Sequence, residues 1–351
     1  MILAVLSAGL IAAPAADAAR APKGFYGASN PGEPSAPVLQ RLSTGGVKTV
    51  RVTFDWGSIE PTAGSRNWGG ADAVIGNAAS NRVDVLPLLY GVPKWVAANP
   101  RTPPLGGSAA RGGWQRFLTD LAARYGVNGS FWASNPQIPY RPIRFWQIWN
   151  EPNLRYYWGS QKPNPRRYAQ LLAISKKGLR AGDLASRVVT AGLIPYKSVG
   201  GPSANVFLKR MYRIRKVRKR FNVLAIHPYG SSPKQVLERL VATRRAVDKL
   251  GSRKLKIWVT EFGWATGGDN FAQSPFRSSL PQQARRLSKS YRLFRKNARR
   301  LKLRRAYYFS VQDFNTPGET VDWSGRMGMF EVDGTPKPSW FAYAKRAGGT
   351  P

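Results

Sequence analysis

The feature that most constrains the fold is an alternation of short apolar runs with helix-length segments, repeated eight times along the 351 residues. The apolar or β-branched runs predict strands at residues 24–29, 47–54, 83–89, 143–149, 188–193, 223–227, 255–260 and 305–311. The remaining segments predict helices near residues 35–44, 70–80, 112–125, 166–181, 204–219, 233–250, 281–300 and 337–346. Such alternation is typical of parallel strands joined by right-handed helical crossovers.

Eight units of this kind predict an α/β fold, a closed (β/α)8 TIM barrel that forms a single domain over residues 19–351. An open doubly wound sheet is the alternative. That fold favours a G-x-G-x-x-G turn after the first strand, and the sequence G-F-Y-G-A-S-N-P-G at residues 24–32 lacks this spacing. Reactive side chains of a barrel are expected at the C-terminal ends of its strands.

The N-terminal segment, residues 1–18, resembles a secretory signal peptide. It is apolar and ends in the small-residue pattern Ala16-Asp17-Ala18, but it has no charged residue before the apolar run. Either translation starts upstream of Met1 or the signal is a weak one. It is too short and too rich in small residues for a membrane span. We therefore expect a secreted protein, extracellular or associated with the cell wall, and a monomer.

The amino-acid composition excludes several kinds of chemistry. The chain has no cysteine, which rules out disulfides, thiolate catalysis and cysteine-ligated metals. Its one histidine, His227, is too few for most zinc sites, and no Ser-His-Asp motif is present. What remains is mostly carboxylate chemistry, for which we expect no metal and no organic cofactor.

The net charge of +37 predicts attraction to polyanions such as nucleic acid, an anionic cell wall, an acidic polysaccharide or a lipid surface. Much of this charge lies on the polar faces of predicted helices, where a solvated outer surface is the simplest interpretation. No zinc-finger, RNP-like or helix-turn-helix motif is present, so we expect no specific nucleic-acid partner.

Two of the seven glutamates end strongly apolar strands. Glu151 follows I-R-F-W-Q-I-W-N in the fourth strand, and Glu261 follows L-K-I-W-V-T in the seventh. Barrel closure would bring both to the same face. A carboxyl group in an apolar, aromatic pocket has a raised pKa and can donate a proton, whereas one held by an arginine or tyrosine stays ionised. The pair can then divide the acid and anion roles.

These motifs resemble the signature of glycoside hydrolase clan A, the retaining glycosidases built on TIM barrels, over nearly the whole chain. W-N-E-P-N and W-V-T-E-F-G-W carry the resemblance, and S-I-E-P-T-A-G-S-R-N-W with V-L-P-L-L-Y-G-V-P-K-W is most similar to the family of β-xylosidases and α-iduronidases, with the cellulase family second. The resemblance implies that Glu151 is the acid/base, Glu261 the nucleophile and Asn150 the amide that binds the sugar 2-hydroxyl.

The resemblance also implies that Arg51 holds the nucleophile and that His227 and Tyr229 form the pair beside it. Aromatic residues near strand ends are expected to stack on the sugar; the candidates are Trp56, Trp95, Trp149, Tyr157, Trp158 and Trp264. The sequence departs from the pattern in two places. Strand eight has Tyr308 and Phe309 where many clan members have a stacking tryptophan, and strand three offers Tyr90 instead of a histidine.

The sequence therefore predicts a retaining glycoside hydrolase that cleaves O-glycosidic bonds of a polysaccharide or oligosaccharide. Its expected partner is a carbohydrate, in one hypothesis an anionic glycan or a phosphate-bearing wall. The alternative is a non-catalytic basic barrel that binds acidic polysaccharide or another polyanion at the cell surface, with steeply salt-dependent binding and no hydrolysis.

Overall fold

The computed structural model describes residues 21–198, 200–315 and 322–351. The predicted signal peptide, residues 1–18, lies outside the described residues. In the described part, eight parallel strands pair in sequence order and close when the eighth pairs with the first. The prediction of a (β/α)8 barrel is confirmed. The strands are β1 Tyr26–Asn30, β2 Thr49–Asp55, β3 Asp84–Tyr90, β4 Phe145–Ile148, β5 Arg187–Thr190, β6 Val223–Ile226, β7 Lys256–Val259 and β8 Leu303–Phe309.

Helices surround the barrel between and after these strands. They are α1 Ala36–Thr44, α2 Trp56–Ile59, α3 Gly69–Ser80, α4 Ser108–Tyr125, α5 Ser130–Ser134, α6 Pro165–Gly182, α7 Ala204–Tyr212, α8 Pro233–Lys249, α9 Leu280–Leu301 and α10 Pro338–Ala347. None of the helices in the described ranges has the length and apolarity that crossing a bilayer requires. The two shortest, α2 and α5, were not expected from the sequence.

Local sequence signals set where the long helices begin. At the start of α9, the Ser279 hydroxyl oxygen accepts a hydrogen bond from the Gln282 N–H. The Gln282 side-chain oxygen in turn accepts one from the Ser279 N–H. The side chains of Asn164 and Ser232 cap α6 and α8 in a similar way, and each of these three helices has a proline in its first turn. Capping groups satisfy N–H groups that have no partner within the helix, and proline there lacks the N–H altogether.

The largest error in the predicted elements is the helix expected over residues 204–219. Helix α7 ends at Tyr212, and a short 3-10 turn follows at Val217–Lys219. Lys216 between them has a backbone φ of +60°, in the left-handed region that an α-helix does not use. The apolar residues of this segment do recur at helical spacing, but that spacing does not reveal a break in the backbone.

The strands carry alternate side chains into and out of the barrel, which positions the site. On the inside, Val223, Trp258 and Tyr307 pack in one small apolar cluster with Leu86. On the outside, residues such as Ile257 pack under the helices in the larger core. Side chains of successive strand residues point to opposite faces. The next inward-facing positions toward the C-terminal ends of the strands are therefore available for polar groups, which lie above this apolar cluster.

A buried ion pair joins the segment after β8 to the start of α10. The Lys337 ammonium lies 2.6 Å from Asp313 Oδ2 and donates to Thr266 Oγ1 at 3.0 Å. The second Asp313 oxygen accepts from the Gly328 N–H at 2.7 Å. Both charged side chains are almost fully buried. This pair fixes the return of the chain across the top of the barrel.

We predict that Lys337→Met lowers the free energy of unfolding by about 3–5 kcal/mol, because it leaves the Asp313 carboxylate buried without a counter-charge. The double variant Lys337→Met/Asp313→Asn should recover most of the loss, since it removes both charges. Urea unfolding followed by circular dichroism measures both values. A double variant that is as unstable as the single one would contradict this account.

Candidate active site

A cavity of about 620 Å³ lies at the C-terminal ends of the strands. Five of the residues that the clan resemblance assigned to catalysis or to holding the nucleophile and sugar line it: Arg51, Asn150, Glu151, Tyr229 and Glu261. His227 is fully buried directly behind them. A cavity of this size at this end of a barrel is where ligand sites of this fold form.

The two glutamates lie close together within this cavity. Glu151, His227 and Glu261 each offer one atom able to bind a metal ion, and these three atoms lie within 4.8 Å of one another. A carboxylate oxygen of Glu151 is therefore within 4.8 Å of a carboxylate oxygen of Glu261. Both glutamates are more than 90% buried. Two carboxyl groups this close in a shielded site cannot both ionise easily, because like charges repel strongly at low dielectric.

The backbone after β4 adopts an uncommon shape that brings Glu151 to the site. Trp149 has a φ of +71° and Glu151 a φ of +36°, both in the left-handed region that residues with a side chain rarely adopt. Each such residue costs of order 1–3 kcal/mol, which the surrounding packing must offset. This turn ends the strand at Ile148, one residue earlier than the sequence predicted.

Glu261 accepts hydrogen bonds from two donors. Arg51 Nη1 donates to Glu261 Oε1 at 2.8 Å, and the Tyr229 hydroxyl donates to Oε2 at 2.8 Å. Burial raises the pKa of the Glu261 carboxyl, and both partners oppose that rise. Arg51 and the Tyr229 hydrogen bond therefore favour the ionised form of this carboxyl group.

Glu151 has a different environment. Burial raises the pKa of Glu151 well above the usual range, and the nearby charge of Glu261 raises it further. The charge of Arg51 lowers this pKa but offsets only part of the rise. Burial and the Glu261 charge both favour the protonated form of the Glu151 carboxyl group. The two carboxyl groups therefore differ in their immediate environments.

The direction of the hydrogen bonds under the site can be assigned from Arg51. Its Nε can only donate, and it lies 2.6 Å from Gln147 Oε1, which must therefore be the amide oxygen. The Gln147 amide nitrogen then donates to the carbonyl oxygen of Thr190 at 3.1 Å and to Thr260 Oγ1 at 3.2 Å. Thr260 Oγ1 is thus an acceptor for Gln147, and its own hydrogen needs another acceptor.

That acceptor is His227 Nε2, which lies 2.9 Å from Thr260 Oγ1. The other ring nitrogen, Nδ1, then carries the proton and donates to Glu151 Oε1 at 2.6 Å. Burial lowers the pKa of His227 well below its usual value, and the Arg51 charge adds to that effect, so the ring is neutral. Gly192 is needed beside it, because a Cβ there would lie 1.8 Å from Nε2.

Asn150 is oriented by the same arginine. Arg51 Nη2 donates to Asn150 Oδ1 at 2.9 Å, so the amide oxygen faces the guanidinium. The Asn150 NH2 group is therefore the end that can donate to a ligand in the cavity.

The tryptophans predicted to stack on a sugar do not line the cavity. Trp56, Trp158 and Trp264 are fully buried in the core, and Trp56 Nε1 donates to the Glu60 carboxylate at 2.7 Å. Trp95 is 37% exposed, and its Nε1 donates to the Glu60 carbonyl oxygen. Neither Trp95 nor Glu60 lines the cavity. Trp149 is buried too. The structure therefore gives no support to sugar stacking by these tryptophans, four of which are packed in the core.

Other aromatic residues form the cavity wall. Among the aromatic residues that the sequence predicted to stack on a sugar, only Tyr157 lines the cavity. The wall also contains four aromatic residues that the sequence did not single out: Tyr156, Tyr196, Phe276 and Trp323. All lie in connections that follow strands. Phe309 and Tyr90, which stand where the sequence departs from the clan pattern, also line it. The available signal was aromatic residues clustered in loops, as in R-Y-Y-W at 155–158, but nothing in the sequence tells which loop folds over the cavity.

The same cluster is the one group of three metal-ligand side chains found among the described residues: Glu151, His227 and Glu261. Its donor set does not suit a cation. Arg51 and Tyr229 donate to Glu261, and the assigned Nδ1–H of His227 faces Glu151. A metal ion would have to displace these hydrogen atoms and would lie near a fixed guanidinium charge.

Solved structures with the same fold come from glycoside hydrolase families. A family 39 glycoside hydrolase from Bacteroides cellulosilyticus WH2 is 18% identical, with a TM-score of 0.67 over 93% of this chain and 64% of that one. A monomeric β-xylosidase from Caulobacter crescentus CB15 is 20% identical, with a TM-score of 0.65 over 93% and 69%. A family 5 mannosidase from Rhizomucor miehei is 13% identical, with a TM-score of 0.59 over 90% and 86%.

At these identities the similarity establishes the fold, a TIM barrel. The chain spans about two thirds of the length of the family 39 structures it matches. No protein-family model matches the sequence, and no curated protein matches it. What the site does therefore has to be argued from its own geometry.

We predict that His227 is neutral and protonated on Nδ1 at pH 6, although an unperturbed histidine is mostly charged there. His227 is the one imidazole in the chain, so side-chain ¹⁵N spectra are unambiguous. Thr260→Val keeps the volume but removes the donor to Nε2, so the Nε2 resonance should shift toward that of a ring nitrogen without a hydrogen bond, while Nδ1–H stays bonded to Glu151. Thr260→Ser, which keeps the hydroxyl, is the control. A charged ring at pH 6, or an unchanged Nε2 resonance in Thr260→Val, would contradict the assignment.

Proposed function

We propose that the protein is a retaining glycoside hydrolase that cleaves an O-glycosidic bond of a polysaccharide or oligosaccharide. The observation that carries the proposal is the pair Glu151 and Glu261, from the ends of β4 and β7, with oxygens within 4.8 Å in one cavity. Retaining enzymes place their two carboxyl groups about 5–5.5 Å apart, whereas inverting enzymes leave room for a water between them. The fold shared with glycoside hydrolases supports the same class.

In the first step, the Glu261 carboxylate attacks the anomeric carbon, and the bond from that carbon to the leaving oxygen breaks. Glu151 gives its proton to this oxygen, so the leaving group departs as a neutral alcohol. Arg51 and Tyr229 keep Glu261 ionised for the attack. The product of this step is a glycosyl ester on Glu261, with inverted configuration at the anomeric carbon.

In the second step, the ionised Glu151 takes a proton from a water molecule, which attacks the anomeric carbon and displaces Glu261. The two inversions give net retention. Glu151 Oε1 accepts the hydrogen bond from His227 Nδ1–H in both steps. The proton that Glu151 donates and regains is therefore carried by its other oxygen, Oε2. The Asn150 NH2 can bond the sugar 2-hydroxyl and strengthen that bond as positive charge develops at the anomeric carbon.

The aromatic cavity wall supports a carbohydrate as the substrate. Tyr157, Tyr196, Phe276 and Trp323 present rings that can pack against the apolar faces of sugar residues. The mechanism needs no metal and no organic cofactor. We also propose that the protein acts as a monomer outside the cell or at the cell wall; the sequence of residues 1–18 supports export.

The net charge of +37 favours a second candidate function, that of a non-catalytic barrel that binds an acidic polymer. A surface that only binds a polyanion has no use for two carboxyl groups that repel one another in a shielded cavity. Their burial beside a guanidinium is what favours catalysis. The mutant kinetics below separate the two candidates.

We predict that Glu151→Gln and Glu261→Ala each lower kcat for an aryl glycoside by at least about 10³-fold, because each removes a proton-transfer or nucleophilic group. Glu238→Gln, a change of an exposed glutamate in α8, is the matched control and should leave kcat unchanged. Proton NMR of the first-formed sugar should show retained configuration. Full activity in either site variant, or an inverted product, would exclude the proposal.

The pH profile of kcat/KM should be bell-shaped, with Glu261 ionisation on the acidic limb and loss of the Glu151 proton on the basic limb. Tyr229→Phe removes a hydrogen bond that lowers the pKa of Glu261, so the acidic limb should move to higher pH while the basic limb moves little. We expect kcat/KM at the optimum to fall about tenfold to a hundredfold, as for a lost bond to a charged group. A shift of the basic limb alone would reverse the two roles.

A further inference from the structure

We propose that helix α9 forms a docking track for an acidic glycan chain and that the sugar cleaved in the cavity is itself neutral. The proposal rests on the proposed hydrolase function and narrows its substrate class: a glycan that carries its carboxylates on residues or side groups away from the scissile bond. Two independent features lead to it, the charge on α9 and the charge inside the cavity.

The exposed face of α9 carries one row of cations. Arg285, Lys289, Arg292, Lys296 and Arg299 follow at alternating spacings of four and three residues, and all five are exposed. Such spacing keeps side chains on one helix face. At a rise of about 1.5 Å per residue, the row is about 21 Å long. We call these five residues the α9 row.

The opposite face of α9 is buried in the core through Leu287, Tyr291, Phe294 and Ala298. The row therefore lies outward on the flank of the barrel. The sequence from residue 270 to residue 312 contains no aspartate or glutamate, so local carboxylates do not neutralise it. Like charges three and four residues apart repel each other, and a polyanion bound along the row would relieve that repulsion.

The α9 row begins beside the mouth of the cavity. The connection before α9 contains Phe276, which lines the cavity, and the exposed Arg277 follows it directly. Arg286 in the first turns of α9 donates to the Arg277 carbonyl oxygen at 2.8 Å, which ties this connection to the helix. A chain that leaves the cavity on this side meets Arg277 and then the row.

The cavity itself has the opposite charge. Of the lining residues that the structure describes, Arg51 is the one cation, and the carboxyl groups of the lining are those of Glu151, Glu261 and Asp322. Four of the five N–H groups of Arg51 already donate to protein atoms. The undescribed residues 316–321 contain no lysine or arginine in the sequence. A carboxylated sugar at the reaction centre would meet repulsion without an available counter-charge.

The form of the α9 row favours a glycan over a nucleic acid. Proteins that bind single-stranded nucleic acids combine basic grooves with aromatic side chains on which the bases stack. The aromatic residues of α9, Tyr291 and Phe294, are buried in the core instead. The row therefore offers charge along a line and no platform for bases, which suits a linear polymer with carboxylate groups.

The experiment compares two variants that each lose five positive charges. One replaces the five residues of the α9 row by glutamine. The matched control replaces five exposed cations on α7 and the following turn, on another flank of the barrel: Lys209, Arg210, Arg213, Arg215 and Lys216. Binding of polygalacturonate, neutral arabinoxylan and oligo-dT is measured at several salt concentrations, alongside unfolding curves of each variant.

The slope of log K for polygalacturonate against log salt should fall by about 3 to 4 in the α9 variant, at about 0.7 per neutralised charge for a single-chain polyanion. The α7 control should keep most of the wild-type slope, and arabinoxylan binding should not depend on the row. Equal losses in both folded variants would overturn the docking track. Tighter binding of oligo-dT than of polygalacturonate, lost with the row, would replace the glycan by nucleic acid.

The kinetic arm uses small substrates that cannot reach the row. A panel of neutral aryl glycosides should be cleaved equally well by wild type and the α9 variant, and the matching aryl glucuronide at least about tenfold more slowly, a difference of about 1.4 kcal/mol in transition-state binding. Faster cleavage of the glucuronide would overturn the neutral-sugar part. No cleavage of any aryl glycoside, with row-dependent binding intact, would refute the hydrolase while leaving the docking track standing.

Discussion

The site depends on the guanidinium of Arg51, a charge that the protein cannot remove by deprotonation. From β2 it donates to Ser29 in β1, to Gln147 in β4, to Asn150 just after β4 and to Glu261 after β7. Because this group only donates, every partner must be an acceptor toward it. One buried cation thus ties together distant strand ends, orients two amides and favours one carboxylate.

The rest of the site follows from that direction. Gln147 is turned so that its amide donates to Thr260, the Thr260 hydroxyl donates to His227, and the ring donates to Glu151. The two carboxyl groups sit close together yet have different neighbours, a donor-only cation beside Glu261 and a neutral imidazole beside Glu151. Burial raises the pKa of both carboxyl groups; Arg51 and the Tyr229 hydrogen bond oppose that rise at Glu261, whereas the charge of Glu261 adds to it at Glu151.

The sequence predicted the eight strand–helix units and the meeting of Glu151 with Glu261, because hydrophobic periodicity and position at a strand end are properties of the chain itself. It did not single out Gln147 or Thr260 as parts of the site, since an uncharged polar residue inside a strand has no distinctive pattern. Nor did it indicate that Trp264 is buried while other aromatic residues line the cavity. Whether a ring such as Trp264 packs under a helix or faces a cavity depends on the path of loops that no local rule specifies.

By itself, therefore, the sequence determined the barrel, the restriction to carboxylate chemistry and the excess of positive charge, each of which follows from composition or repeating pattern. Only the tertiary structure decided the left-handed turn that swings Glu151 inward, the tautomer of His227 and the aromatic wall. These features arise from contacts between residues far apart in the chain. Their energies depend on distances of a few tenths of an ångström, which closure of the barrel fixes and a linear pattern does not contain.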